Sequence, residues 1–209
     1  MEKNILGFAT VDFNPEWLLS WYQSVPDEML REEIEQNPRV NKRVIDNILF
    51  VNGIENSNEN IDPEIIEICA LLNDNKGQFI ELCGLALLGS LLRKIVDPSK
   101  LANYVEVFGE GKVQTAIRLN IDYQPFAFVT VDKENLLEFV NMAGVNCIVG
   151  WSQALSPFVG ANLRMLFPKG FSNVAENSNL IEPNIAFETV KGAANIFRSL
   201  NVNQEANAS

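Results

Sequence analysis

The sequence predicts a mainly α, irregular multi-helix domain around one buried central helix, with room for a short strand pair. Three observations carry that expectation. Residues 78–94 form a run that is apolar nearly all round, the mark of a helix buried on most sides. Elsewhere, apolar residues recur at three- and four-residue spacing and seldom alternate. An Asn or Asp followed by Pro also stands repeatedly at the head of these stripes. That pair supplies a side-chain acceptor for the first free N–H groups, then a residue with no N–H to leave unsatisfied.

Taken in order, residues 5–13 alternate weakly through Phe8, Thr10, Val11 and Phe13 and read as a short extended segment. Asn14-Pro15 opens a helix with Trp17, Leu18, Trp21, Tyr22 and Val25 on one face. Pro26 and Asp27 restart a short acidic helix over residues 28–36. Asn37-Pro38 opens another, with Val40, Val44, Ile45 and Ile48 inward. The Asn- and Glu-rich stretch 52–61 is the best place for a hinge. It divides an acidic N-terminal helical lobe (1–61) from a helical core (62–200).

Asp62-Pro63 begins the core with a helix that turns Ile65, Ile66, Cys69 and Leu72 inward, and residues 73–77 end it. In the 78–96 helix, Gly84 and Gly89 each cost about 1 kcal/mol relative to alanine, which makes sense where neighbouring helices approach closely. Asp97-Pro98 caps a helix carrying Leu101, Tyr104, Val105 and Phe108, and Gly109 stops it. Val113, Ala116, Ile117 and Ile121 continue as a shorter helix, followed by a connector over 123–132 with Pro125, Phe126 and Phe128. Asp132 is expected to cap a long helix aligning Leu136, Val140, Ala143 and Cys147. Residues 151–167 are ambiguous: Pro157 and Gly160 break the pattern, while Leu163, Met165 and Phe167 alternate like a short strand. A polar loop over 172–183 leads to a final helix lined by Phe187, Val190, Ala194 and Phe197. Residues 201–209 read as a frayed, disordered tail.

With 209 residues, 47% of them hydrophobic, the chain can bury a sizeable core and offset its ordering entropy. Its net charge of −11 is uneven: residues 1–76 hold 15 acids and 6 bases, 77–171 hold 8 of each, and 172–209 hold 4 and 2. The neutral middle is the expected core, and the acidic first third is the solvated or partner-facing part. Such a field repels phosphate backbones and anionic lipid heads, so nucleic-acid binding is not expected. Cys69, Cys83 and Cys147 each sit in an apolar helical pattern, which argues for reduced core thiols in a cytosol-like compartment. Residues 1–25 do not read as a signal peptide, because Asp12 and Glu16 interrupt any apolar run. The most membrane-like stretch, 79–92, contains Glu81 and falls short of the ~20 apolar residues a span requires. A soluble, cytoplasmic protein without direct membrane insertion is expected.

Motifs that carry chemistry are few. With no histidine, the usual hydrolase triads and His-containing zinc sites are excluded. Gly109-Glu110-Gly111-Lys112 invites a phosphate-loop reading, but a Walker loop needs Gly and Ser or Thr where this chain has Glu106 and Val113. A plain turn between helices is the better account. The acids Asp27, Glu28, Glu32, Glu33 and Glu35 fall together on one helix, without the desolvated–ionised pair that acid–base work requires. They read as a solvated face, or as a docking surface for a basic partner. A Ser–Lys or purely carboxylate enzyme stays formally open, with nothing in the spacing to support it.

Trp17, Trp21 and Tyr22 read first as core and second as an aromatic anchor for a partner; Trp151 with Phe158 carries the same two readings. Arg93 and Lys94 suit the negative end of the central helix dipole. The candidate partner contacts are therefore Trp17, Trp21, Glu28, Glu32, Glu33 and Trp151; no catalytic, metal or cofactor-binding residue is expected.

Three stretches carry a resemblance. Phe8, Phe13, Pro15, Trp17 and Leu18 form the first, and residues 82–89 with Arg93 and Asp97-Pro98 form the second. The third runs from Ala143-Gly144-Val145 through Trp151 to Leu163-Arg164-Met165-Leu166-Phe167-Pro168. Together they resemble the K subunit (SctK family) of the bacterial type III secretion sorting platform, over roughly residues 8–22 and 79–170. The resemblance implies a cytoplasmic, non-enzymatic adaptor at the base of the injectisome. It also implies partners: the cytoplasmic domain of the inner-membrane ring protein and the Q-type pod subunit. Two alternatives stand beside it, an export chaperone with an exposed apolar groove and an unrecognised carboxylate-dependent enzyme.

Overall fold

The computed structural model describes residues 14, 16, 17, 19, 29, 32, 37–51, 60–119, 121, 131–168 and 181–208. Its helices are α1 (Pro38–Val51), α2 (Pro63–Asp74), α3 (Lys76–Lys94), α4 (Pro98–Phe108), α5 (Glu110–Arg118), α6 (Leu136–Ser152), α7 (Pro157–Met165) and α8 (Pro183–Ala208). A 3-10 turn, Lys133–Asn135, leads into α6. The chain is a mainly α, multi-helix domain, and no strand occurs among the described residues.

The Asx-Pro pairs do what their chemistry suggests. Asp62 Oδ1 accepts the Glu64 N–H at 2.9 Å, and Asp97 Oδ1 accepts the Ser99 N–H at 2.9 Å. Asn37 accepts from Arg39 at 3.1 Å, and Asn14 accepts from Glu16 at 3.0 Å. Each cap satisfies an N–H that the first turn leaves without a helical partner.

Helix α3 is the centre. Phe79, Ile80, residues 82–90 and Leu92 are all buried, and α2, α5, α6 and α8 pack around them. Two apolar clusters form on different sides of this one helix. Phe79, Ile80, Leu82, Cys83, Ala86 and Leu87 join α2, α6, α7 and α8, with Trp151, Phe158, Phe167 and Phe197. Leu85, Leu88 and Leu92 join Tyr104, Phe108, Val113, Ala116, Leu136 and Val140 from α4, α5 and the start of α6. Each fully buried Leu or Phe contributes roughly 1.5–3 kcal/mol relative to exposure.

The expected close approach at Gly84 is present. A Cβ there would collide with the carbonyl oxygen of Val140, and a Cβ at Gly144 would collide with that of Ile80. The two helices therefore cross backbone against backbone, each glycine making room for the other chain. A Cβ at Gly89 would likewise meet the carbonyl oxygen of Ala116 on α5.

Three expectations differ from the structure. Leu163 and Met165 lie in helix α7, so there is no strand; Ser156 precedes Pro157 and its hydroxyl accepts the Val159 N–H at 3.5 Å. The proline read as a break is thus a helix start of the same kind, with Ser in place of Asx. Asp132 makes no side-chain cap bond, and the 3-10 turn takes the place of the expected first helical turn. Helix α8 continues to Ala208 through the stretch expected to fray. The extended segment over 5–13, most of the 28–36 helix, the 52–59 loop, the 123–130 connector and the 172–180 loop lie outside the described residues.

Candidate functional site

Six residues were singled out as partner contacts, and the structure treats them differently. Trp17 is half-buried, and its indole Nε1–H donates to the Phe167 carbonyl at 3.0 Å, 150 positions away. The neighbouring Asn14 N–H donates to the Met165 carbonyl at 2.7 Å. Trp17 thus fastens the start of the chain to the end of α7, the core-like of its two readings. Trp151 is 0% exposed inside the larger cluster. A sealed indole offers nothing to a partner, which corrects the anchor reading at that position. Among the described residues its Nε1–H has no hydrogen-bond partner. Glu32 is helical and exposed, available to solvent or to a basic partner. Trp21, Glu28 and Glu33 lie outside the described residues.

Around the end of α7 the chain gathers three donors. Besides Asn14 and Trp17, Lys76 Nζ donates to the Leu166 carbonyl at 2.5 Å and sits 5.3 Å from the centre of the Phe167 ring. The first turn of α3, the end of α7 and the entry of the chain therefore meet at one place.

The glycine-rich Gly109–Lys112 motif is a turn. Gly109 takes φ 85°, a left-handed conformation that suits glycine, and its N–H caps the Val105 carbonyl. Lys112 reaches Glu81 at 2.7 Å, with side-chain exposures of 27% and 18%. The one acid in the buried run of α3 is thus neutralised by the lysine a phosphate loop would have used. Three further carboxylates face cations. Glu64 meets Lys191 at 3.1 Å, Glu67 meets Arg198 at 2.9 Å, and Glu106 meets Lys133 at 2.5 Å. The first two pairs stitch α2 to α8. Among the described residues, no group of three or more Cys, Asp or Glu is placed to hold a metal ion.

Cys69, Cys83 and Cys147 are free and buried, as the helical pattern predicts. Burial pushes the Cys69 and Cys147 thiols up to about 12. Burial, with Cys147 nearby, holds Cys83 well above the ordinary thiol range. Such thiols are inert at neutral pH, because the thiolate is the reactive form.

One surface feature escaped sequence reasoning. A groove of about 450 Å³ runs along α8, with Leu119, Ile121 and Ile185 in its wall and Asn184, Glu188, Lys191 and Asn195 beside them. The i, i+4, i+7, i+11 spacing of the four polar residues marks a stripe beside the inward Phe187, Val190, Ala194, Phe197 line. That stripe was the available signal, but Leu119 and Ile121 come from another element, so the groove could not be read from one helix.

No family model matches the chain, no curated protein matches it, and no solved structure matches it. What the fold defines is therefore a class, a mainly α multi-helix domain. No helix among the described residues is long and apolar enough to cross a membrane.

Proposed function

We propose that the chain is a cytoplasmic, non-enzymatic adaptor of a type III secretion sorting platform. In this reading it joins the cytoplasmic domain of the inner-membrane ring protein to the Q-type pod subunit. One observation supports it: the described residues of the three stretches that resemble the K subunit meet in space. Asn14 and Trp17 bond to Met165 and Phe167, and Gly84 stands against Val140 and Gly144. Trp17, Gly84 and Gly144 thus lie where elements of the body pack together, whereas Arg93, Asp97 and Pro98 of the same stretches are exposed. The exposed Glu32 and the −9 balance of residues 1–76 suit a basic partner surface.

The test is co-purification with each proposed partner. The unmodified chain is expected to capture the Q-type subunit or the ring domain. The double reversal Glu32→Lys, Glu33→Lys should weaken that capture roughly tenfold, in line with the loss of charge pairs at an interface, with an unchanged melting temperature. Capture of neither partner by the unmodified chain ends this reading. Unaltered capture by the double variant removes only the acidic helix from it.

The groove along α8 favours one second reading, an export chaperone, because its wall holds Leu119, Ile121 and Ile185. A chaperone would bind unfolded effector segments in competition with a groove variant such as Ile185→Glu, and an adaptor would not.

A further inference from the structure

The groove along α8 has a floor, a wall and one unanswered charge. Gly192 is buried at its floor, where a Cβ would meet Leu119 Cδ1 at 3.2 Å and Ile121 Cδ1 at 3.7 Å. The absent side chain lets Leu119 and Ile121 lie close against the helix, and Ile185 completes the apolar lining. Lys191 has its charge answered from α2, with Nζ 3.1 Å from the Glu64 carboxylate and 5.7 Å from the centre of the Phe187 ring. Glu188 does not: it is exposed, one turn before Gly192, and meets no cation or hydrogen-bond donor among the described residues. We propose that this groove binds a short segment of a partner protein in which aliphatic residues flank a lysine. The aliphatic side chains lie on Leu119, Ile121 and Ile185, and the ammonium group meets Glu188.

Charge complementarity selects that occupant. A carboxylate without a cation, on a chain of net charge −11, attracts a positive group and repels a negative one. An exposed ion pair alone is weak, so a bare cation is not held there. The apolar wall beside Glu188 supplies the rest, and a volume of about 450 Å³ falls in the usual range of binding sites. Lysine suits both parts, since its methylene stem lies along apolar surface while its head stays in water. Asn184, one turn before Glu188 and likewise without a partner among the described residues, offers an amide oxygen to a second ammonium N–H. From Asn184 to Asn195 the groove follows three turns of α8. That is about 16 Å, the length of roughly five extended residues, so a segment fits and a lone side chain leaves most of it open. The site stands whether the whole chain is an adaptor or a chaperone, because it involves neither the acidic helix nor an unfolded effector.

NMR titration of the full chain with two end-blocked pentapeptides, Ala-Ile-Lys-Ile-Ala and Ala-Ile-Glu-Ile-Ala, tests the site. The lysine peptide should shift the amide signals of Ile185, Glu188 and Gly192 and bind roughly threefold tighter than the glutamate peptide. Glu188→Lys, a change at an exposed position, should reverse that order with an unchanged melting temperature. No shift at those three amides overturns the proposal. So do equal affinities for the two peptides, or an order that Glu188→Lys leaves as it was. Shifts spread over acids elsewhere on the chain would mark attraction to the net charge alone, and they overturn it as well.

Discussion

The two sides of α3 are built differently. One side gathers α2, α6, α7 and α8, elements drawn from nearly the whole described length, and it holds all three thiols and the sealed Trp151. The other is closed mainly by α4 and α5, the next two helices along the chain, with Val131, Leu136, Phe139 and Val140 arriving from farther away. Contacts between distant segments tie the chain into one cooperative unit, whereas local ones can be lost without dissolving the remainder. The difference suggests that α4 and α5 open first and that the thiol-bearing side sets global stability.

Alkali should attack the larger side hardest. The thiols ionise near 9 when unfolded, while burial holds Cys69 and Cys147 at about 12 in the folded chain. The native state therefore binds more protons than the unfolded one between those values, and stability is lost as pH climbs through that window. Below pH 9 the contribution is fully present. Each thiol held up by burial costs up to about 1.4 kcal/mol per pH unit inside that window. Urea titrations at stepped pH should show this slope, and replacing all three cysteines by alanine should flatten it. A slope unaffected by that replacement would place alkaline unfolding elsewhere.

Next in size is the crossing that separates the sides. Gly84→Ala or Gly144→Ala gains up to about 1 kcal/mol of helix propensity but drives a methyl into a carbonyl oxygen of the opposing helix. Overpacking should win by about 3 kcal/mol, read as a lower urea midpoint. A stabilised variant would mean that the helices separate readily.

A matched pair of cavities then compares the sides directly. Leu82→Ala and Leu88→Ala should each cost about 2–5 kcal/mol, with the larger loss at Leu82, in the more widely connected cluster. Equal losses, with exchange rising everywhere in both variants, would merge the two sides into one core. The smallest effects belong to the caps. Asp62→Ala at the head of α2 and Asp97→Ala at the head of α4 should each lower the melting temperature by a few degrees. Faster exchange confined to α4 and α5 in the Asp97 variant alone would sharpen the contrast.

Much of this architecture was legible because it is encoded locally. Asp62, Asp97 and Asn37 sit beside the N–H groups they cap, so a few residues of sequence contain the whole interaction. The burial of α3 followed from an apolar surface with no face left for water. Helix α7 was missed because a period-two pattern at 163, 165 and 167 outweighed Ser156-Pro157, a start signal one atom type away from the others. Trp151 was more legible than it was read, since Val140, Ala143 and Cys147 extended by four positions reach it on the same inward stripe. The role of Trp17 was not legible: its partner is a backbone carbonyl, which no side-chain pattern records, and it lies 150 residues away.

The crossing at Gly84 and Gly144 also says how relatives of this chain could be recognised. Side-chain obstacles can be cleared by a compensating change on the other helix, but a main-chain oxygen is the same for every amino acid. Drift can therefore rewrite the apolar lining and leave both of these points unable to grow. Two positions of minimal size, one on each of two greasy helices at the corresponding places in the chain, are the trace to look for in sequences too diverged to align.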